Sequence, residues 1–266
     1  MRPVTIERPP VITIMGHVDH GKTTLLDALR HSNIVDTEYG QITQSIGAFT
    51  VNTESDTRIT FIDTPGHAAF TNMRVRGAKT TDLVIMVVSG IEGIQQQTYE
   101  VMDIIRKNNL PTVIAINKCD SLKADPEAVE LALAEKGMIS ANLGGPYTTV
   151  YISAKEKQGL DELERALVRE AETINLKANC NGQTECYVIE SDLKDGQVSA
   201  SVIVKSGTLK VEDYFVCGHT EGRVRYLRND KGEPVKQALP GESVFVCGFK
   251  SEVDMGSALY TVKDHN

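Results

Sequence analysis

Short apolar runs alternate with stretches of helical spacing through the first two thirds of the chain. The apolar runs are rich in β-branched residues and nearly continuous, which is typical of parallel strands covered on both faces. They predict strands over residues 11–15, 49–51, 59–62, 83–88, 113–116 and 149–152. Apolar residues at helical spacing predict helices over residues 25–30, 68–79, 95–108, 126–136 and 159–176. This alternation predicts an α/β domain with a mostly parallel sheet and helices on both faces.

The pattern changes at about residue 178, where short alternating runs follow one another without a helical window. Turn pairs such as Asp195-Gly196 and Pro240-Gly241 separate these runs. The predicted strands are residues 185–190, 198–204, 214–216, 223–227 and 243–246. Such spacing predicts a small antiparallel β-barrel of about six to eight strands. We therefore expect an α/β domain over residues 1–177 and a barrel domain over residues 178–266.

Composition narrows the class of protein without identifying it. The 266 residues are enough for two hydrophobic cores, and the net charge is −8. Acidic residues outnumber basic ones in both predicted domains, which argues against nonspecific nucleic-acid binding through bulk charge. Five cysteines without a CxxC pair fit neither a zinc ribbon nor a complete disulfide framework. No apolar run is long enough to span a bilayer. We expect a monomer in a reducing compartment, with no membrane partner.

Residues 16–23, GHVDHGKT, match the pattern G-x-x-x-x-G-K-[ST], with a predicted strand before them and a helix after them. Backbone N–H groups in such a loop bind a triphosphate, and Gly16 and Gly21 let the backbone approach it closely. Lys22 is placed to reach the β- and γ-phosphates, and the Thr23 hydroxyl to bind Mg²⁺. The predicted phosphate-binding residues are Gly16, His17, Val18, Asp19, His20, Gly21, Lys22, Thr23 and Thr24.

Residues 117–120, NKCD, follow the predicted strand 113–116 and indicate which base is bound. The Asp120 carboxylate can accept two hydrogen bonds from guanine, whereas adenine offers neither donor. We expect Lys118 to lie along the base and Asn117 to connect this loop to the phosphate loop. Residues 153–155, Ser153, Ala154 and Lys155, would support the base from its other side through the Ala154 amide.

Residues 63–66, DTPG, end another predicted strand and form a D-x-x-G element. Asp63 would hold Mg²⁺ through a water molecule, and the Gly66 amide would contact the γ-phosphate. Loss of that phosphate would release the following segment, which is how a triphosphatase acts as a switch. In the long polar stretch 31–47, Thr43 is the candidate for the second protein hydroxyl on Mg²⁺.

Taken together, six motifs resemble those of the translational GTPases: GHVDHGKT, ITQSIGAF, DTPGHAAF, RGA, NKCD and SAK. The chain is most similar to the initiation factor 2 branch of that family, which has bacterial and mitochondrial members. The resemblance runs from about Pro9 to Lys263 and implies a GTPase domain followed by the family's β-barrel domain. Gln41 departs from the family pattern, which has a second glycine at that position.

The resemblance also implies roles for residues outside the nucleotide loops. His67 would orient the attacking water, with Val18 and Ile42 forming an apolar gate in front of it. Asp19 resembles the position that helps to hold a monovalent cation, such as K⁺, beside the phosphates.

In the barrel, Arg223, Arg225 and Arg228 would meet ribosomal RNA. Alternating arginines on a strand are equally well explained as its solvated face.

These expectations amount to a GTP-binding and GTP-hydrolysing initiation factor, slow by itself and stimulated by the ribosome. It would promote initiator-tRNA placement and subunit joining, contacting tRNA only through domains beyond this two-domain piece. One alternative is an elongation-type or selenocysteine-specific factor, and another is a nucleotide-dependent ribosome-binding module with negligible hydrolysis. Cys119 and residues 47–49 resemble the mitochondrial branch, so we prefer the mitochondrial matrix to the bacterial cytoplasm.

Overall fold

The computed structural model describes residues 5–32, 47–53, 56–62, 80–194 and 196–262. In the first domain the strands are β1 Thr5–Glu7, β2 Val11–Gly16, β3 Ala48–Asn52, β4 Arg58–Ile62, β5 Leu83–Ser89, β6 Thr112–Asn117 and β7 Thr148–Tyr151. The helices are α1 Lys22–Ser32, α2 Gln96–Asn108, α3 Pro126–Glu135 and α4 Leu160–Ile174. Short 3-10 turns cover Val18–His20 and Ala141–Leu143.

Six of these strands form one sheet in the order β3-β4-β2-β5-β6-β7. All neighbouring pairs are parallel except β3 and β4, which form an antiparallel pair at one edge. Every residue of β5 is buried, because the sheet has helices on both faces. One core contains side chains of α1 and α4, and the other contains side chains of α2 and α3. The predicted mostly parallel α/β domain is confirmed.

The second part of the chain is a closed antiparallel barrel. The strands in this part of the chain are β8 Lys177–Asn179, β9 Glu185–Lys194, β10 Gln197–Ser206, β11 Leu209–Lys210, β12 Tyr214–Cys217, β13 Thr220–Arg228, β14 Pro234–Val235, β15 Gln237–Ala238, β16 Ser243–Phe249 and β17 Ala258–Val262. Six strands follow one another in the order β12-β17-β9-β10-β16-β13, and pairing of β12 with β13 closes the ring. The interior is filled by apolar side chains that include Val202, Phe215 and Val246. The predicted barrel is confirmed.

The two domains meet over an apolar patch framed by polar contacts. Val11, Ala48 and Ile62 of the sheet pack against Ile189 and Ile203 of the barrel. At the edge of this patch the Thr60 hydroxyl donates a hydrogen bond to the Gly241 carbonyl oxygen at 2.6 Å. The backbone N–H of Thr50, on edge strand β3, donates to Asp230 Oδ2 at 2.7 Å. These contacts attach the β3–β4 hairpin to the barrel.

A buried group of three charged side chains lies at the same junction. Asp82 accepts hydrogen bonds from both terminal nitrogens of Arg8, at 2.6 and 2.7 Å, and from Lys205 Nζ at 2.8 Å. Burial by itself would raise the pKa of Asp82, but Arg8 and Lys205 hold it below its ordinary value. Burial lowers the pKa of Lys205 to about 8, and Asp82 opposes that shift. Lys205 is the barrel's contribution to this group, because Arg8 and Asp82 belong to the first domain.

Strand β1 and strand β8 form a separate antiparallel pair between the domains. The predicted domain division after residue 177 falls within β8, which follows α4 by only two residues. Helix α4 ends at Ile174 instead of residue 176, because Asn175 adopts a left-handed conformation with φ of 53°. The pattern did not predict β1, β8 or β17, whose formation depends on partner strands distant in sequence. The predicted helix 68–79 lies outside the described residues.

Candidate nucleotide site

The phosphate-loop motif forms a turn between β2 and α1. Gly21 adopts φ of 87°, a conformation that favours glycine, and α1 begins at the next residue. A Cβ atom at Gly16 would lie 2.4 Å from the carbonyl oxygen of Val87, and one at Gly21 would lie 2.5 Å from Asn117 Nδ2. Protein atoms of neighbouring strands therefore leave no room for a side chain at either position, whether or not a ligand also approaches the backbone there.

The first turn of α1 provides an electropositive surface next to this turn. It contains no acidic residue, so the unpaired N–H groups and the positive end of the helix dipole are available to an anion. The side chains of Thr23 and Thr24 are exposed there. Lys22 Nζ donates hydrogen bonds to the carbonyl oxygens of Gly16 and His17, at 2.8 and 2.7 Å. Burial lowers the pKa of Lys22, and the nearby Asp19 raises it in opposition. This cradle of N–H groups, glycines and an ammonium fits a nucleoside polyphosphate.

Asn117 connects the phosphate loop to the two segments predicted to surround the base. Its side-chain amide donates to the carbonyl oxygen of His20 at 2.9 Å and accepts from the backbone N–H of Ala154 at 3.0 Å. Asn117 is 2% exposed, so both hydrogen bonds are shielded from water. The connection expected from sequence between Asn117 and the phosphate loop is present, and it extends to residues 153–155.

The predicted base-recognition side chains lie on this support. Asp120 Oδ1 accepts a hydrogen bond from Ser153 Oγ at 2.7 Å, while the Asp120 side chain stays exposed. Lys118 adopts a left-handed backbone with φ of 67°, and the next amide, of Cys119, donates to the Ile152 carbonyl oxygen at 3.1 Å. Lys155 is exposed and forms an ion pair with its neighbour Glu156. The arrangement leaves the Asp120 carboxylate accessible to an incoming donor.

The segment that follows β5, together with the first turn of α2, also contacts the phosphate loop, and the motifs did not predict this. Gln97 Oε1 accepts a hydrogen bond from the backbone N–H of Val18 at 2.8 Å. Glu92 lies between His20 and Lys118. This contact could have been expected from the order of the strands. The carboxyl ends of the adjacent parallel strands β2, β5 and β6 meet at one edge of the sheet, so the segments that follow them lie close together.

Several predicted site residues can be compared with the structure only in part. Ile42, Thr43, Asp63, Gly66 and His67 lie outside the described residues. Val18, the other member of the predicted gate, has 64% of its surface exposed. Asp19 is exposed in the turn before Gly21. Within the described ranges, no three His, Cys, Asp or Glu side chains are grouped as a metal site. The proposed ligands of Mg²⁺ and K⁺ remain predictions.

The three arginines predicted to contact RNA lie on β13 and are exposed. Arg223 lies over the Tyr214 ring at 5.3 Å and pairs with Glu212, and Arg228 lies over the Tyr226 ring at 5.5 Å. Arg225 is exposed between them. This is the outer face of a barrel strand, and it fits both a solvated surface and a contact with phosphate groups.

The comparison with protein families identifies the first domain. Residues 7–173 match the elongation factor Tu GTP-binding domain, which is more than half of the chain. The chain belongs to this GTP-binding-domain family. Residues 183–262 match the second domain of elongation factor G. The two matches cover the α/β domain and the barrel in turn, so the resemblance to translational GTPases is confirmed.

The curated sequence relatives of this GTP-binding-domain protein carry the name translation initiation factor IF-2, and the matching solved structures include an elongation factor. The chain is 48% identical over 259 residues to translation initiation factor IF-2 of Nitratiruptor sp., which is 97% of this chain and 31% of the relative. The crystal structure of GDP-bound aIF5B from Aeropyrum pernix matches with a TM-score of 0.82 and 26% identity, over 97% of this chain and 55% of that one. The apo elongation factor SelB of Methanococcus maripaludis matches with a TM-score of 0.75, also at 26% identity, over 97% and 55%.

The chain spans about a third of the length of the curated relatives that it matches. The relatives carrying the name IF-2 in this comparison are bacterial, and they give no support to the mitochondrial preference. In the described part of the chain, no helix combines the length and the hydropathy needed to cross a membrane.

Proposed function

We propose that this chain is the GTPase domain and barrel domain of an initiation factor of the IF-2 type, which binds and hydrolyses GTP. The observation that carries the proposal is the position of Asn117. Its amide joins the phosphate loop, through the His20 carbonyl oxygen, to the Ala154 backbone. One buried side chain is therefore placed to fix the relative positions of the proposed triphosphate and base pockets, which a guanine nucleotide site must hold at a constant separation.

In the proposed site, each residue has a separate task. The Lys22 ammonium leaves its backbone acceptors for the β- and γ-phosphate oxygens, and the first N–H groups of α1 bind the same phosphates. Asp120 accepts from the N1 and 2-amino groups of guanine, while Lys118 lies along the ring. Bound Mg²⁺ neutralises negative charge on the phosphates, with Thr23, Thr43 and Asp63 as its proposed protein-side partners.

Hydrolysis is proposed to depend on His67, which orients the water that attacks the γ-phosphate. Val18 and Ile42 form an apolar gate that keeps His67 away until the ribosome moves it. The exposed side chain of Val18 supports this proposal, since such a residue is free to contact a second apolar group. We propose K⁺ near Asp19, which is also exposed.

The proposed partners are both ribosomal subunits, and initiator tRNA through domains beyond this chain. We propose that Arg223, Arg225 and Arg228 meet ribosomal RNA, and that the chain acts as a monomer. The similarity to bacterial proteins named IF-2 favours the bacterial cytoplasm over the mitochondrial matrix. A matching crystal structure of a bacterial selenocysteine-specific elongation factor keeps that function as the second candidate, although the sequence relatives favour initiation.

The proposal is tested by single-turnover GTP hydrolysis with and without ribosomes. We expect slow hydrolysis by the isolated chain and strong stimulation by ribosomes. A His67→Ala variant should keep its affinity for GTP and lose about 100-fold or more of the stimulated rate, as expected when the group that positions the attacking water is removed. His219→Ala, in an exposed turn of the barrel, is the matched control. Normal stimulation of the His67 variant would contradict its assigned role, and no stimulation of the unmodified chain would favour the simple binding module.

A further inference from the structure

Strand β5 ends in a tight turn that is fixed to the base-recognition strand. The buried Ser89 hydroxyl accepts hydrogen bonds from the backbone N–H groups of Ile91 and Glu92, both at 3.2 Å. The backbone N–H of Gly93 donates to the Ser89 carbonyl oxygen at 2.9 Å, and that of Gly90 donates to the Asn117 carbonyl oxygen at 2.7 Å. The backbone of this turn is therefore held close to the NKCD motif.

The turn places the Glu92 carboxylate between two nucleotide motifs. Glu92 Oε2 lies 3.5 Å from His20 Nε2, and Glu92 Oε1 lies 3.6 Å from Lys118 Nζ. The carboxylate is 40% exposed and the Lys118 side chain is 32% exposed, whereas the His20 side chain is fully buried. One oxygen faces the phosphate loop and the other faces the residue expected along the base.

The His20 ring has acceptors facing both of its nitrogens. Its Nδ1 atom lies 3.4 Å from the Val87 carbonyl oxygen, and its Nε2 atom faces Glu92. Within the described residues, Nε2 has no hydrogen-bond partner, although the Glu92 carboxylate faces it at 3.5 Å. A hydrogen bond to the Val87 carbonyl oxygen thus holds the ring at Nδ1, and Glu92 approaches its other nitrogen without a hydrogen bond.

We propose that Glu92 is a positioning residue that couples the phosphate loop to the base-recognition motif and slows nucleotide release. It holds the Lys118 ammonium at the edge of the base pocket and lies against the His20 ring of the phosphate loop. This connection is separate from that of Asn117, which acts through the backbone oxygen of His20. The inference rests on the proposed nucleotide site, because the predicted effect is on guanine-nucleotide dissociation.

The test is stopped-flow dissociation of a fluorescent GDP analogue from the chain and its variants. Glu92→Gln keeps the size of the side chain and removes its charge. We expect dissociation to accelerate about threefold to tenfold, the range expected for a partly exposed charge with two partners. The difference from the unmodified chain should shrink at high salt, because screening weakens the ion pair. A loss of packing would show no such salt dependence.

Three further variants separate positioning from general damage. Glu92→Asp should recover part of the slow dissociation, because it restores the carboxylate. Asp103→Asn, on the exposed face of α2, removes one negative charge away from these contacts and should leave the rate unchanged. In a Lys118→Met background, Glu92→Gln should accelerate dissociation by a smaller factor than it does in the unmodified chain, because the two residues share one interaction.

Two outcomes would overturn the inference. One is an unchanged dissociation rate for Glu92→Gln at low salt, and the other is an undiminished effect in the Lys118→Met background. Failure of the unmodified chain to bind guanine nucleotide would instead reject the proposed function. Circular dichroism melting identifies any variant that fails to fold. If Glu92→Gln fails to fold, the dissociation rate of Glu92→Asp, provided that it melts normally, decides the question instead.

Discussion

The nucleotide site and the junction between the domains both depend on polar side chains, but they place charge differently. At the nucleotide site, the buried connection is a neutral amide, that of Asn117, and Asp120 is left exposed. At the junction, Arg8, Asp82 and Lys205 are charged, largely buried and paired with one another. Exposed charge is available to a ligand, whereas buried paired charge has already satisfied its interactions within the protein.

This difference in exposure suits the two carboxylates to different tasks, one to binding a ligand and the other to holding the two domains together. A carboxylate that must choose between bases has to meet a ligand without an internal cation competing for it. Among the described residues, the hydrogen-bond donor to Asp120 is the neutral hydroxyl of Ser153. A carboxylate that holds two domains together gains from enclosure, because its partners are then shielded from water and salt. Substitutions at the nucleotide site should therefore change nucleotide affinity, and substitutions at the junction should change the free energy of unfolding.

The largest effect is expected at the base pocket. Asp120→Asn should move the ratio of GTP to xanthosine triphosphate affinity by about 10⁴, because the amide donates where guanine also donates. Competition binding with the two nucleotides measures this ratio. Ser153→Ala, which removes the hydroxyl that Asp120 accepts at 2.7 Å, should change affinity but not base preference. An Asp120→Asn variant that still prefers GTP would show that Asp120 does not recognise the base.

The next effect is on stability at the junction. Asp82→Ala leaves Arg8 and Lys205 buried without their shared partner, which should lower the free energy of unfolding by about 3–5 kcal/mol. Urea and thermal unfolding measure this loss, while Kd for GDP in the folded variant should stay within about twofold if the regions are independent. Asp103→Ala, an exposed carboxylate on α2, is the matched control. A large loss of GDP affinity with little loss of stability would contradict the comparison.

The smallest expected effect is a dependence on pH at the same junction. Because the pKa of Lys205 falls from 10.5 to about 8 on folding, the unfolded chain binds more protons between these values. Stability should therefore gain from this group as pH rises above about 8, by about 1–3 kcal/mol at most. Lys205→Met should flatten that part of the stability curve. An equal rise in the variant would show that another group titrates there.

The nucleotide motifs could be read directly from the sequence, since each needs a few residue types at fixed local spacing. A phosphate loop requires glycines at two positions whatever the rest of the protein does, and both positions have close backbone or side-chain neighbours in the structure. Periodicity was similarly sufficient for the long buried strands and for the helices of the described residues. Local chemistry identified these features, because each motif and each period of apolar residues is recognisable within one short segment of the chain.

The junction and the bridge formed by Glu92 were decided by tertiary structure. Arg8, Asp82 and Lys205 are separated by 74 and 123 residues along the chain, and no local pattern relates them. Glu92 follows a buried strand as an ordinary acidic turn residue, and it gains its partners only because β2, β5 and β6 end at one edge of the sheet. Sequence thus determined the guanine-nucleotide motifs and the two fold classes. Packing determined which isolated charges met, because Coulombic contacts depend on distance in space, which spacing along the chain does not specify.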